Sequence, residues 1–218
     1  MYVPEVFEEK RLEVLHDLIR RYPFGTLVTV NERGLEANHI PFLVESTPEP
    51  FGVLYAHVSR ANPVWRDLSN SSEVLAVFQG PQGYVSPSWY VSKAETGMVV
   101  PTWNYAVVHV YGQLEAVQDA AWLRSVVDRL TNTHEAGQAE PWSMSEPPAH
   151  YIEKQLSAIV GLKLTITRLL GKWKMSQNRP LQDRASVTRT LLEQGTGPSA
   201  AMAESIEKAN EDNTSRSK

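Results

Sequence analysis

The chain has 218 residues, enough for one sizeable core with a helical appendage but not for two full-size domains. Its net charge of -4 excludes a broad basic surface of the kind that holds nucleic acid non-specifically, and no apolar run approaches the roughly eighteen residues of a membrane span. The absence of cysteine excludes disulfides, thiolate metal sites and cysteine nucleophiles, and is compatible with a reducing compartment.

The opening "MYVPEVFEEK" carries acidic residues early and lacks the basic, then apolar, then small pattern of an export signal, so the mature chain is expected to begin here. Residues 7 to 21 space Phe7, Leu12, Leu15, Leu18 and Ile19 for an amphipathic helix that Pro23 closes. "GTLVTV", "LEANHIPFLV", "FGVLYAHV" and "SEVLAVF" then read as strands punctuated by "NERG", "STPEP" and "GPQG". Pro41 marks its strand as an edge or bulged one, because proline donates nothing to the ladder. "NYAVVHVYGQLEAV" is a long strand, and Asp119 caps a helix with Leu123, Val126, Val127 and Leu130 on one face. Residues 131 to 149 are polar, broken by prolines and read as irregular. "IVGLKLTITRLL" alternates strictly, which predicts a half-buried strand. "GKWKMSQNRP" follows it, then two helices, "LQDRASVTRTLLEQ" and "SAAMAESIEKAN", separated by "GTGP", and a polar tail that frays. Six or so strands with a single helical interruption predict a mainly β fold, an antiparallel barrel with flanking helices. The expected division is 1–180 for the barrel and 181–218 for a C-terminal helical segment and tail.

Four stretches carry chemistry-bearing side chains. In "HVSRANP", Asn62 stands at an N-cap and Pro63 at the first helical position, with Ser59 and Arg60 adding donors; the segment either binds an anion or simply caps a helix. "FQGPQGYVSPSWY" and "VPTWNY" gather tyrosines and tryptophans that either wall a flat ligand or plug a barrel mouth. "GKWKMSQNRP" is either a solvated turn or an anion site, with Lys174, Gln177 and Arg179 serving a ligand or a dimer seam that encloses it and Lys172 left to solvent. His39, His57 and His109 have no carboxylate at ligand spacing, so no metal is expected. The G-x-S-x-G, H-E-x-x-H, P-loop and G-x-G-x-x-G motifs are all missing, and no catalytic residue is assigned.

Taken in order, "MYVP", "HIPF", "HVSRANPVW", "FQGPQGYVSPSWY", "VPTWNY" with "VHVYG", "EPWSM", "IVGLKLTI" and "KWKMSQNRP" resemble the PaiB-type FMN-binding negative transcriptional regulators, from Met1 to about Arg184. The resemblance implies an FMN-binding split β-barrel related to pyridoxamine-phosphate-oxidase-like flavoproteins. It further implies a cytoplasmic homodimer with FMN at the subunit interface. The cofactor-binding positions it implies are His57, Ser59, Arg60, Ala61 and Asn62; Tyr84, Ser86 and Trp89; Trp103 and Asn104; and Lys174, Gln177, Asn178 and Arg179. Tyr90 and Tyr105 match as well. Repression implies promoter DNA reached through the dimer, with Arg184 and Arg189 as candidate contacts, although no DNA-reading element is recognisable. The alternative within this barrel class is an FMN-dependent oxidoreductase acting on a small molecule, with Tyr84, Tyr105 and His109 as proton donors to test. A third reading is a cofactor-free dimer used as an interaction module.

Overall fold

The structure, a computed structural model, describes residues 1–66 and 73–216. Among them, eight strands form one antiparallel sheet: β1 (Glu8–Glu9), β2 (Phe24–Asn31), β3 (Gly34–Pro41), β4 (Leu43–Glu45), β5 (Val53–Ser59), β6 (Val74–Val85), β7 (Thr102–Val117) and β8 (Ile159–Lys174). The order is β3-β2-β6-β7-β8-β5-β4, with β1 also pairing on β8. The helices are α1 (Leu12–Arg21), α2 (Lys93–Thr96), α3 (Ala120–Glu135), α4 (Ala149–Ser157), α5 (Leu181–Gln194) and α6 (Gly197–Arg216). The expectation of an antiparallel, mainly β fold with flanking helices is met. The chain forms two compact units, and β6, β7 and β8 each contribute residues to both.

The first unit comprises Met1–Leu18, Gln79–Val108 and Leu170–Lys218. Glu8 of β1 pairs with Lys172 and Glu9 with Gly171. A side chain at 171 would run into Leu15 and the carbonyl of Glu9, so the ladder closes only over glycine. The helix expected from residue 7 therefore starts at Leu12: Phe7 ends a 3-10 turn after Pro4, and Glu8–Glu9 is drawn into the sheet. In α5 and α6 the buried side chains include Val187, Leu191, Met202 and Ile206. Asp183, in the first turn of α5, accepts from the Ser92 backbone at 2.9 Å and from its hydroxyl at 2.6 Å.

The second unit comprises Ile19–Phe78 and His109–Leu169. β2 and β3 form a hairpin from Phe24↔Pro41 to Asn31↔Gly34, and Pro41 ends an edge strand as its chemistry requires. Asp119 caps α3 by accepting from the Trp122 amide at 2.7 Å. Leu123, Met144, Ile152 and Leu156 form a cluster joined by Trp122, Val127 and Ile159, which is why "EPWSM" and the residues after it are ordered. α3 runs on to Glu135, five residues into the stretch expected to be irregular, and α4, for which no helix was expected, begins at the last residue of that stretch and buries Ile152 and Leu156. The helix expected from Pro63 is a single 3-10 turn, Pro63–Trp65; its continuation over 67–72, and tail residues 217–218, lie outside the described residues.

Candidate functional site

The chemistry-bearing residues fall into two sets, one per unit. In the first unit, β6 delivers Tyr84, β7 delivers Trp103 and Asn104, and the end of β8 delivers Lys174. Tyr84 and Trp103 are each 49% exposed and meet edge to face, with ring centroids 6.2 Å apart. The Trp103 indole donates to Gln82 at 3.2 Å, which fixes the ring's direction. Lys174 Nζ donates to the Thr102 hydroxyl and, at 3.0 Å, to the Trp103 carbonyl. Burial pushes this ammonium below the ordinary lysine value, so it is a partly desolvated cation.

The loop after β8 is held by its own side chains. Ser176 has φ 63°, a left-handed conformation uncommon for a residue with a Cβ. Its hydroxyl donates to Asn104 Oδ1 at 3.2 Å and accepts from Asn104 Nδ2 at 2.9 Å, and both residues are buried. Gln177 accepts from the Met175 amide at 2.7 Å and donates to the Trp173 carbonyl at 2.5 Å. Asn104 and Gln177 therefore spend these groups shaping the loop. Arg179 lies 4.9 Å from the centroid of the Tyr90 ring, whose hydroxyl burial pushes to a raised pKa. Ser86 caps the 3-10 turn Pro87–Trp89 and contacts the Ser88 hydroxyl at 2.7 Å, Trp89 is half-buried, and Asn178 is exposed.

Lys172 corrects its sequence reading. It is 9% exposed, not solvated: Nζ donates to the Tyr2 carbonyl at 3.1 Å and lies 5.8 Å and 5.3 Å from the rings of Tyr2 and Tyr105. Arg184, expected to face DNA, is also buried at 9%, while Arg189 is exposed.

In the second unit, Arg60 is a tie within the fold. Its guanidinium donates to the carbonyls of Ser157 at 2.9 Å and Ile159 at 3.0 Å and to Gln118 at 2.8 Å, while its backbone amide donates to Ala158 at 2.8 Å. These carbonyls lie at the C-terminal end of α4, where cationic donors are favoured. The Trp65 indole donates to the Arg60 carbonyl at 3.1 Å, and Arg66, exposed, stacks over Trp65 at 4.9 Å. Ser59 accepts from the Ala61 amide at 3.2 Å, and both residues are exposed. Asn62 caps the 3-10 turn by accepting from Val64 at 2.9 Å and donates to Asn38 at 2.7 Å. His57 lies opposite Gly161 of β8; its Nδ1 is buried without a partner among the described residues, and burial lowers its pKa. His109 shares both properties. No three metal-ligating side chains gather among the described residues. A cavity of about 400 Å³ in this unit is lined by Arg124, Asp128, Ser143 and Met144 and by none of the implied cofactor-binding residues.

Sequence reasoning did not single out Asn38, Thr102, Ser176 or Gln82. Their partners are far away in the chain, so no local spacing marks them.

Residues 1–168 match the family described as "Putative FMN-binding domain". The chain belongs to this family. A protein of Emericella nidulans is 32% identical, covering 97% of this chain and 98% of its own. The Bacillus subtilis protein named protease synthase and sporulation protein PAI 2 is 29% identical, covering 95% and 97%. In fold, the chain is similar to the flavocytochrome Anf3 of Azotobacter vinelandii, with a TM-score of 0.62 at 16% identity over 84% of this chain and 78% of that one. The resemblance to PaiB-type proteins and the split-barrel expectation are both met, and the family's cofactor is FMN. The residues present fit it. A desolvated Lys174 and an Arg179 suit a phosphate, and the outward Tyr84 and Trp103 rings suit a flat ring system.

Proposed function

We propose that this protein is a PaiB-like negative regulator of transcription, a cytoplasmic homodimer that binds FMN at its subunit interface. The observation that carries the flavin part is the Lys174 ammonium, partly desolvated and held on the Thr102 hydroxyl and on the carbonyl of Trp103, whose half-exposed ring meets that of Tyr84. A phosphate carries close to two negative charges, and a cation already stripped of part of its hydration has less to lose on meeting it. Bound FMN supplies a ring that accepts and returns electrons, while the chain supplies orientation and charge. The regulatory part is supported by the 29% identity to the Bacillus sporulation protein over 95% of the chain. Any DNA contact then uses Arg189 and not the buried Arg184.

The test is a visible spectrum of the purified protein, mass analysis of what it releases on denaturation, and titration of apoprotein with FMN. The expected result is a yellow protein releasing FMN, with Lys174→Met weakening FMN about tenfold, the size of one charge-assisted bond. A colourless protein that takes up no FMN would overturn the reading.

A further inference from the structure

α3 has two stripes of side chains, and the core of the second unit uses one of them. Leu123, Val126 and Leu130 are buried, and Leu123 packs with Met144, Ile152 and Leu156. Ala121, Arg124, Ser125 and Asp128 recur at the three- and four-residue spacing of a second stripe, and with Ser143, Met144 and Ser145 they line the cavity of about 400 Å³. All of these residues belong to the one unit. The loop wall is fixed from within. Met144 is buried in the apolar cluster, and the amides of Trp142, Ser143 and Ser145 donate to Glu135 at 2.9 Å, to Glu146 at 2.8 Å and to the Ser143 hydroxyl at 3.2 Å. A cavity of this size, lined by a helix and an anchored loop, is in the range that holds a small molecule.

Its charges are of both signs, and neither is spent on the other. Arg124 and Asp128 stand one turn apart, the spacing at which opposite charges usually pair, yet among the described residues Arg124 has no acceptor and Asp128 accepts only from the Asn132 amide, at 3.2 Å. Arg129 of the same helix differs: it pairs with Glu45 at 2.5 Å and lies 5.4 Å from the centroid of the Tyr55 ring, so the fold uses it. The Ser143 and Ser145 hydroxyls lie 2.9 Å apart, and whichever donates to the other, one proton is left for a third group. A guanidinium takes a carboxylate on two parallel N–H bonds, and a carboxylate takes an ammonium. An anion alone would meet Asp128 and a cation alone would meet Arg124. The lining therefore selects a molecule bearing both charges, with Ala121 and Met144 as its apolar contacts.

We propose that this cavity binds a free α-amino acid, its carboxylate on Arg124 and a serine hydroxyl and its ammonium on Asp128. The site shares no residue with the flavin set and is independent of the flavin reading.

The experiment titrates the purified protein, with whatever flavin it carries, against each of the common L-amino acids by calorimetry, then repeats the tightest binder as its deaminated and decarboxylated analogues. At least one amino acid should bind saturably with a Kd below about 1 mM, and each single-charge analogue should bind at least about tenfold more weakly, because one charge-assisted contact is lost. Arg124→Met and Asp128→Asn should each weaken the amino acid by about tenfold or more, with urea midpoints and flavin content unchanged. Arg124 is exposed and makes no contact that the fold needs among the described residues, so Arg124→Met keeps the test open if Asp128→Asn disturbs α3. Failure of every amino acid to bind below about 10 mM would overturn the proposal. So would an amino acid bound equally well by wild type and both variants, since it would then sit elsewhere. Single-charge analogues bound as tightly as the parent would also overturn it, because the cavity would then read one charge only.

Discussion

His57 and His109 each carry a buried Nδ1 without a partner among the described residues, and burial depresses both pKa values below the ordinary 6.5. A depressed folded value means that the unfolded chain binds the proton first as pH falls. The stability these rings contribute is therefore complete above about pH 6.5 and is lost as pH drops through the folded values. Thermal unfolding midpoints should fall between pH 7.5 and 5.5, and His57→Leu with His109→Leu should flatten that slope; an equally steep slope in the double variant would assign it to other groups. At this scale the sequence was legible where chemistry is local. Asn62 capping ahead of Pro63, and Asp119 ahead of α3, depend on neighbours two or three residues away. It was illegible where a side chain's partner is distant. Lys172 looks solvated until Tyr2 covers it, and Arg60 looks like an anion ligand until its donors are found on Ser157, Ile159 and Gln118.

At the scale of elements, alternation of apolar residues revealed the strands because a half-buried strand has no other way to satisfy both faces. Their ends were misplaced where a glycine interrupts the pattern without ending the ladder: β8 passes through Gly171 and continues to Lys174, so four of the ten residues in "GKWKMSQNRP" are strand. α4 was missed because nine residues behind two prolines give too short a period to recognise. The start of α5 was readable from Pro180, but not what anchors it. Asp183 is fully buried in the first turn of α5, with both carboxylate oxygens on Ser92, ninety-one residues away. An acidic group there also faces the positive end of the helix. Asp183→Ala should cost about 2–3 kcal/mol, read as a lower urea midpoint, because it removes a charge-assisted pair of bonds and leaves Ser92 without its acceptor. Ser92→Ala should cost less, since its backbone amide still donates. Equal and negligible losses would show that the helix is held by its apolar face alone.

For the whole molecule, the homodimer is the statement with the clearest physical consequence. The 79–108 segment of the first unit exposes Met98 at 81% and Val100 at 63% of their surfaces, together with the half-exposed Tyr84 and Trp103. Large apolar side chains exposed in one segment are what a partner copy would cover, and the proposed function puts the flavin where two copies meet. Light scattering on the purified protein should therefore give twice the 24.5 kDa chain mass. Met98→Glu with Val100→Glu places two negative charges on each copy, so a twofold interface over this segment would bring four like charges into it. That variant should run as a folded monomer by circular dichroism and light scattering, and it should release FMN in proportion to the monomer formed, because a seam site exists only while the seam does. A wild-type protein that runs at the chain mass with flavin still bound would separate the cofactor from assembly, and the set around Lys174, Tyr84 and Trp103 would then have to hold it within a single copy.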